Sequence, residues 1–436
     1  MSAFDHVIGY CGIKKELEQI SDTLKNRKVY EKLSVMSPRG LLLHGEPGVG
    51  KTLMASALIE ESGRKVFVCR KDKPNGDFIR EIKAIFDKAV QDAPSIVFLD
   101  DMDKFANGDE RHRDAEEYVT VQSCIDECRG KEVFVLATVN NMRVLPRSLT
   151  RSGRFDRTIE IKPPTGKDAE AIITYYLSGK KFVSDIDVPT ITRILDGRSC
   201  AQLETVINEA GLIAGYERSP EITMDHFIAA CLRVIYGKEE PGEDDDFEDL
   251  AFSNSAGPLS QIIYHEVGHA AVSEILVPGS ISLVSVQKNA VRNGAFTAYY
   301  MPQDCDAYVW KISRIIGALA GTAAVEQKFG VADMGNSEDL QRAMDYSQQL
   351  IIGNGFCGIS LVDPPCRSTS EELLTRQERV TSAEVYRYYR YAKEILIKNN
   401  EFFEKLAAAV AQKGTIHYRD IQNIKATCKI MPISFM

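Results

Sequence analysis

The sequence predicts an α/β module built on a parallel sheet flanked by helices, extended by a small helical part and followed by a mainly α-helical second half. Three observations carry this. Four short apolar runs, GLLLHG (40–45), KVFVC (65–69), SIVFLDD (95–101) and EVFVLATV (132–139), alternate with helical patterns. Strands that apolar are covered on both faces, as parallel strands are. Residues 166–237 then read as helices, including AQLETVINEAGLIAGYE. From about residue 256 the pattern is mostly helical. Its one β-like interruption, ISLVSVQKNAVRNGAFTAYYM (281–301), carries a turn signal at Asn293-Gly294.

Between these parts lies GKEEPGEDDDFEDL (237–250), acidic and punctuated by Pro and Gly, which reads as a solvated linker. The expected divisions are 1–165, 166–237, a linker over 238–255, and 256–436. A chain of 436 residues has room for them and for a sizeable core. A net charge of −9 without a long basic run argues against nucleic acid as a partner. Ten scattered cysteines include no CxxC pair; Cys124 and Cys128 read as neighbours on a helix, and free thiols fit a reducing compartment. No apolar run approaches the ~18 residues of a membrane span. The best candidate, IIGALAGTAAV (315–325), is short and rich in small residues, so neither a span nor a signal peptide is expected.

GEPGVGKT (45–52) sits between an apolar strand and the helical LMASALIEE, the setting a phosphate-binding loop requires. Gly45, Pro47, Gly48, Val49 and Gly50 form the loop, and the glycines let backbone N–H groups turn toward phosphates. Lys51 would reach the β- and γ-phosphates, and the Thr52 hydroxyl would hold Mg²⁺. ATP or ADP with Mg²⁺ is the expected ligand. SIVFLDDMD (95–103) ends a buried strand in carboxylates. Asp100 would coordinate Mg²⁺ through water, and Asp101 would orient the attacking water. Asn140, at the end of another strand, could bind the γ-phosphate or that water. Arg151 and Arg154 would be ordinary surface arginines within one subunit; at a subunit boundary they could stabilise charge at a neighbour's ATP.

QIIYHEVGHAAVSEIL (261–276) places His265 and His269 one helical turn apart on one face. Two such imidazoles can bind one Zn²⁺, with Glu266 beside the open position as general base. A third protein ligand must come from elsewhere in the chain.

The order of phosphate loop, acidic strand, Asn strand and TRSGRFDR (150–157) resembles the AAA+ ATPases, and GRSCAQLETVINEA resembles their lid. Joined to an H-E-x-x-H helix, the whole resembles the FtsH-type ATP-dependent zinc metalloproteases, from FDHVIGYCGIKKEL (4–17) to about residue 425. The resemblance implies that Ile8 and Gly9 lie near the adenine. It also makes Asp339, in MGNSEDLQRA (334–343), the third Zn²⁺ ligand. From the residues alone, Asp339 reads as well as a first-turn carboxylate of a helix that Asn336 caps. Glu326, in GTAAVEQKFG, matches a family glutamate and would support a ligand histidine. The resemblance further implies a homo-hexameric ring acting on unfolded or damaged polypeptides. Its location would be cytoplasmic, as a soluble protein or as the cytosolic portion of a membrane-anchored one.

Four departures stand out. The acidic strand ends Asp100-Asp101 where the family has Asp-Glu, so ATP is expected to bind well and to turn over slowly. The stretch CRKDKPNGDF (69–78) puts Pro74 and Asn75 where the family's pore loop has an aromatic and a hydrophobic residue, leaving Phe78 as the substitute. Gly321-Thr322 lacks the family's arginine. The membrane helices that usually precede the ATPase are missing, so membrane association would need an anchor outside this sequence or on a partner. The departures motivate two rival readings: a nucleotide-binding regulator or scaffold with weak ATPase, and a zinc peptidase largely uncoupled from ATP.

Overall fold

The computed structural model describes residues 2–34, 37–72, 74–106, 115–151, 153–183, 186–237, 258–286, 294–302, 305–333, 335, 337–362 and 370–432. The chain divides into two compact units, Met1–Val188 with Leu195–Ala230, and Pro189–Ile194 with Cys231–Met436. The expected boundary at residue 165 falls inside the first unit. The expected linker, 238–255, and Asn293 of the turn signal lie outside the described residues.

The first unit is built on five parallel strands in the order β2-β3-β4-β1-β5. They are β1 (Gly40–His44), β2 (Lys65–Cys69), β3 (Ser95–Leu99), β4 (Val133–Val139) and β5 (Arg157–Glu160). β3 and β4 are buried along their whole length, as continuous apolar runs require. β2 is an edge strand, and its Val68 is half exposed. β5, the other edge, reads RTIE and shows only Ile159 to the core, so it carries no apolar signal that the sequence could offer. Register decides where chemistry can happen. His44 lies opposite Val139, and Leu99 opposite Ala137, so the C-terminal ends of β1, β3 and β4 lie side by side. The phosphate loop, the two aspartates and Asn140 leave from those three ends.

Helix α1 (Cys11–Lys25) precedes the sheet, and α2 (Lys51–Ser62) follows the loop. Gly45 has φ +152, and a Cβ there would collide with the Ile161 carbonyl, so only glycine fits. α3 (Asn75–Gln91) and α4 (Glu116–Glu127) cover the sheet near β2 and β3. Phe78, the aromatic expected to replace the missing pore residue, is fully buried on α3, edge-on to Phe105 with centroids 4.9 Å apart. Its ring is part of the core and is not available to grip a passing chain. α5 (Gly166–Leu177) and α6 (Cys200–Tyr216) form the helical extension. A capping box closes the start of α6, with Ser199 accepting from Gln202 N while the Gln202 side chain accepts from Ser199 N.

The second unit is organised around helix α7 (Pro258–Leu276), which carries the H-E-x-x-H residues. It packs against α8 (Ala307–Phe329), and α9 (Ser337–Gln348), α10 (Glu371–Lys398) and α11 (Asn400–Lys413) complete the helical body. The apolar IIGALAGTAAV lies in α8, with most of its residues buried in this core. No helix of the described residues is long and apolar enough to cross a membrane. The β-like interruption becomes two antiparallel strands, β6 (Ile281–Val286) and β7 (Ala295–Tyr299). A third strand, β8 (Thr415–His417), joins β6 on its other side and is too short to announce itself in sequence. The order β7-β6-β8 leaves β7 as an edge.

α7 and α8 approach closely because small residues face each other. A Cβ at Gly268 would lie 2.6 Å from the Ala320 carbonyl oxygen and from the Ala324 Cβ. Gly268→Val forces the helices apart. The expected outcome is a loss of about 1–3 kcal/mol in unfolding free energy from overpacking, read by thermal denaturation, with Zn²⁺ binding weakened because both histidines ride on α7.

Candidate functional site

His265 and His269 project from one face of α7 and meet Asp339, in the first turn of α9. His265 Nε2 and His269 Nε2 are 3.0 Å apart, and Asp339 Oδ2 lies 3.2 Å from the first and 3.1 Å from the second. The opposite ring nitrogens are engaged. Nδ1 of His265 meets Asp333 Oδ2 at 2.8 Å, and Nδ1 of His269 meets the Gly317 carbonyl at 2.7 Å. Both partners can only accept, so each Nδ1 carries the proton and each Nε2 presents a lone pair. The other carboxylate oxygen of Asp339 accepts from Arg342 Nη1 at 3.0 Å, which turns Oδ2 toward the histidines.

With both rings neutral, three lone pairs therefore converge in a buried place, an arrangement that calls for positive charge, either a proton on His265 or a cation held by all three. Tetrahedral sites with metal–ligand bonds of about 2.0–2.1 Å have edges near 3.3 Å, close to the spacing here. A His₂-carboxylate set of this kind suits Zn²⁺. The electrostatics agree. Burial opposes charge on His265, but its bonds to Asp333 and Asp339 and the nearby Glu266 prevail and raise it to about 10. Burial likewise opposes charge on Asp339, yet the two histidines hold its carboxyl far below the usual range. Glu266 accepts from the Thr297 hydroxyl on β7, at 2.8 Å to Oε2, which ties the general-base candidate to the edge strand.

Sequence reasoning brought His265, Glu266, His269 and Asp339 together and missed Asp333, Thr297, Arg342 and the Gly317 carbonyl. Only Arg342, one turn beyond Asp339, left a readable signal. Glu326 requires correction. It bonds Tyr389 and, at 2.7 Å, Lys393, and does not touch a histidine. Asp333 takes that part, steadied by the Gly335 N–H and by Thr322, the residue in the missing arginine's place. Asn336, expected to cap α9, lies outside the described residues.

In the first unit, Ile8, Pro47, Gly48, Val49, Gly50, Lys51, Thr52, Asp101 and Asn140 line one cavity of about 460 Å³. The Gly9 and Gly45 backbones adjoin it. Asp100 is buried behind Thr52. It accepts from Thr138 at 2.7 Å, from Thr52 at 3.3 Å and from Arg70. Burial opposes its charge, but these donors hold its carboxyl below the ordinary value. The Lys51 ammonium donates to the carbonyls of Gly45 and Glu46, and burial lowers its pKa. Asp101 and Asn140 meet directly, Nδ2 to Oδ1 at 3.2 Å, while Lys104 pairs with Asp101 Oδ2 at 2.6 Å. Tyr10, Ile172, Tyr176 and Cys200 also line the cavity. Tyr10 leads into α1, while α5 delivers Ile172 and Tyr176 and α6 delivers Cys200 by folding, so periodicity alone does not single them out. Neither arginine lines this cavity. Arg151 is exposed, but Arg154 is no ordinary surface arginine: it bonds Asp126 at 2.8 Å and the Ser148 carbonyl at 2.7 Å within its own chain.

Asp333→Asn should weaken Zn²⁺ binding about 10–100-fold, the usual cost of losing a histidine's supporting carboxylate. Glu326→Gln should leave it unchanged. Competition with a chromophoric chelator measures both, and equal losses would overturn the assignment to Asp333.

The model for the ATPase family associated with various cellular activities (AAA) matches residues 41–163. Similarity to curated proteins extends much further. An ATP-dependent zinc metalloprotease FtsH of Ureaplasma parvum is 28% identical over 436 residues, covering 95% of this chain and 59% of that protein. FtsH 2 of Symbiobacterium thermophilum is 29% identical, covering 97% and 74%. FtsH of Mycoplasma pneumoniae is 29% identical, covering 98% and 63%. The chain thus spans about three fifths of the Ureaplasma relative's length. The AAA match alone leaves the histidine-bearing unit without an explanation, whereas the similarity to the FtsH zinc metalloproteases runs through both units and accounts for them together.

Proposed function

We propose that the chain is an ATP-dependent zinc endopeptidase acting on unfolded or damaged polypeptides in a homo-hexameric ring. The observation that carries the reading is the convergence of two histidine nitrogens and the Asp339 carboxylate beside Glu266, which shares the histidines' helix. His265, His269 and Asp339 would hold Zn²⁺. Bound there, the metal supplies Lewis acidity toward a scissile carbonyl and acidifies a water. Glu266 takes the attacking water's proton on its carboxylate and passes it to the leaving amine. The open edge of β7, tied to Glu266 through Thr297, suits an extended substrate held by main-chain hydrogen bonds.

In the first unit, residues 45–52 would cradle ATP, with Thr52 and Asp100 around Mg²⁺ and Asp101 and Asn140 orienting the attacking water. Arg151, exposed, would reach a neighbouring subunit's γ-phosphate, and Arg154, held by Asp126, would anchor the loop that carries it. The functional divisions follow the sequence: 1–165 for nucleotide, 166–237 as lid, 238–255 as linker and 256–436 for peptide hydrolysis. The buried Phe78 favours one second reading, a zinc peptidase only loosely coupled to ATP, because the stretch near the expected pore loop then has no free aromatic to pull with.

Degradation of a labelled, permanently unfolded protein by the zinc-loaded chain, with ATP, with ADP or with neither, separates the two. Loss of substrate only with ATP supports coupling; equal loss in all three supports the second reading. Glu266→Gln should abolish cleavage under every condition, and unchanged cleavage would overturn the assignment of the base. Asp101→Asn should lower ATP turnover at least ~10-fold, as removal of a water-positioning group does, with nucleotide affinity retained. Steady-state turnover and nucleotide titration together check it.

A further inference from the structure

Beside the metal centre stands a cation that no carboxylate among the described residues neutralises. Arg314, on α8 one turn before Gly317, is half-buried, and none of the described carboxylates pairs with it. Its guanidinium carbon lies 3.3 Å from the ring centroid of Tyr299 and 5.9 Å from that of Trp310. Stacking fixes the guanidinium plane and leaves its in-plane N–H donors for another group. A half-buried guanidinium has lost part of its hydration, so an unpaired one calls for an anion.

The neighbourhood says which anion. Tyr299 ends the edge strand β7 two residues after Thr297, so both side chains leave the same face of the strand. Thr297 on that face reaches Glu266. Opposite Tyr299, the β6 register shifts between Ile281 and Leu283, a bulge of the kind that re-aims side chains next to active sites. Burial raises the Tyr299 phenol, Arg314 pulls it back, and Glu266 and Asp339 raise it again, as expected of a ring standing between the cation and the metal-site carboxylates. Those carboxylates have partners of their own: Asp339 has the two histidines and Arg342, and Glu266 has Thr297. Among the described residues no carboxylate pairs with Arg314, and an anionic group lying along the edge strand would meet it.

We propose that Arg314, stacked on Tyr299, is a carboxylate-binding subsite next to the metal centre, which selects polypeptides that present an acidic side chain or a free C-terminal carboxylate beside the cut. The inference rests on the peptidase reading for its biological meaning, but binding tests it separately. The protein to use is the full chain carrying Glu266→Gln and loaded with Zn²⁺, so that peptides bind without being cut. The probes are short fluorescent peptides with amidated ends, carrying Glu or Gln at each position in turn, together with the all-Gln peptide bearing a free C-terminus.

Fluorescence anisotropy should show one position at which Glu binds roughly ten-fold or more tightly than Gln, the scale of a charge-assisted bidentate pair. If the free C-terminus is the true ligand, the gain appears with that peptide instead. Arg314→Met should erase the gain, and Arg314→Lys should keep part of it, with Zn²⁺ content unchanged in both. Equal binding of all peptides, no binding of any, or a preference that survives Arg314→Met would overturn the subsite. Parallel cleavage assays with Glu266 intact test the other reading. Selective binding without cleavage would overturn the peptidase and leave the subsite standing.

Discussion

The close approach of α7 and α8 is the constraint on which the metal site depends. Gly268 faces Ala320 and Ala324, while a Cβ at Gly321 would enter the His265 ring, 2.6 Å from Cε1 and Nδ1. Glycine at these positions brings the α8 backbone near enough for the Gly317 carbonyl to accept from His269. With that bond, the second ligand's orientation is fixed by main chain, which cannot rotate away. The first ligand's orientation is fixed by Asp333, which emerges just past the end of α8. One helix therefore bears the histidines and the next sets their tautomers. The small-residue composition of α8, which weakens it as a membrane span, suits it to this packing.

The nucleotide unit obeys a different constraint with a similar result. Parallel register places three strand ends level, and they lead into the glycine-rich loop, the paired aspartates and Asn140. Asp101 sits at φ +52, a left-handed backbone that aspartate tolerates better than most residues do. There it meets both Asn140 and Lys104. The aspartate side chain thus has two partners to hold it.

Asp100, Asp101 and Asp103 near Lys51, and Asp333, Asp339 and Glu266 near the histidines, are two acidic settings in a chain of net charge −9. Each would suit a cation, Mg²⁺ with nucleotide in one and Zn²⁺ in the other. Arg314 reverses this pattern close to the second, and a reversal of sign beside a catalytic centre is a means of sorting substrates.

What the sequence determined by itself is whatever depends on local spacing. Helical periodicity put His265 and His269 on one face, strand and loop chemistry marked residues 45–52, and apolar runs gave four of the five parallel strands. Asp339's place beside the histidines was legible only through family resemblance, since nothing local sets it apart from a helix-start carboxylate. Tertiary structure decided the rest. It put Asp333 where Glu326 was expected, turned Phe78 inward, tied Arg154 to Asp126, and added β5 and β8, strands of four and three residues. The physical reason is common to all of these. A side chain's partner across the fold is set by how elements pack, and a periodic pattern fixes which face of an element is buried without fixing what it is buried against.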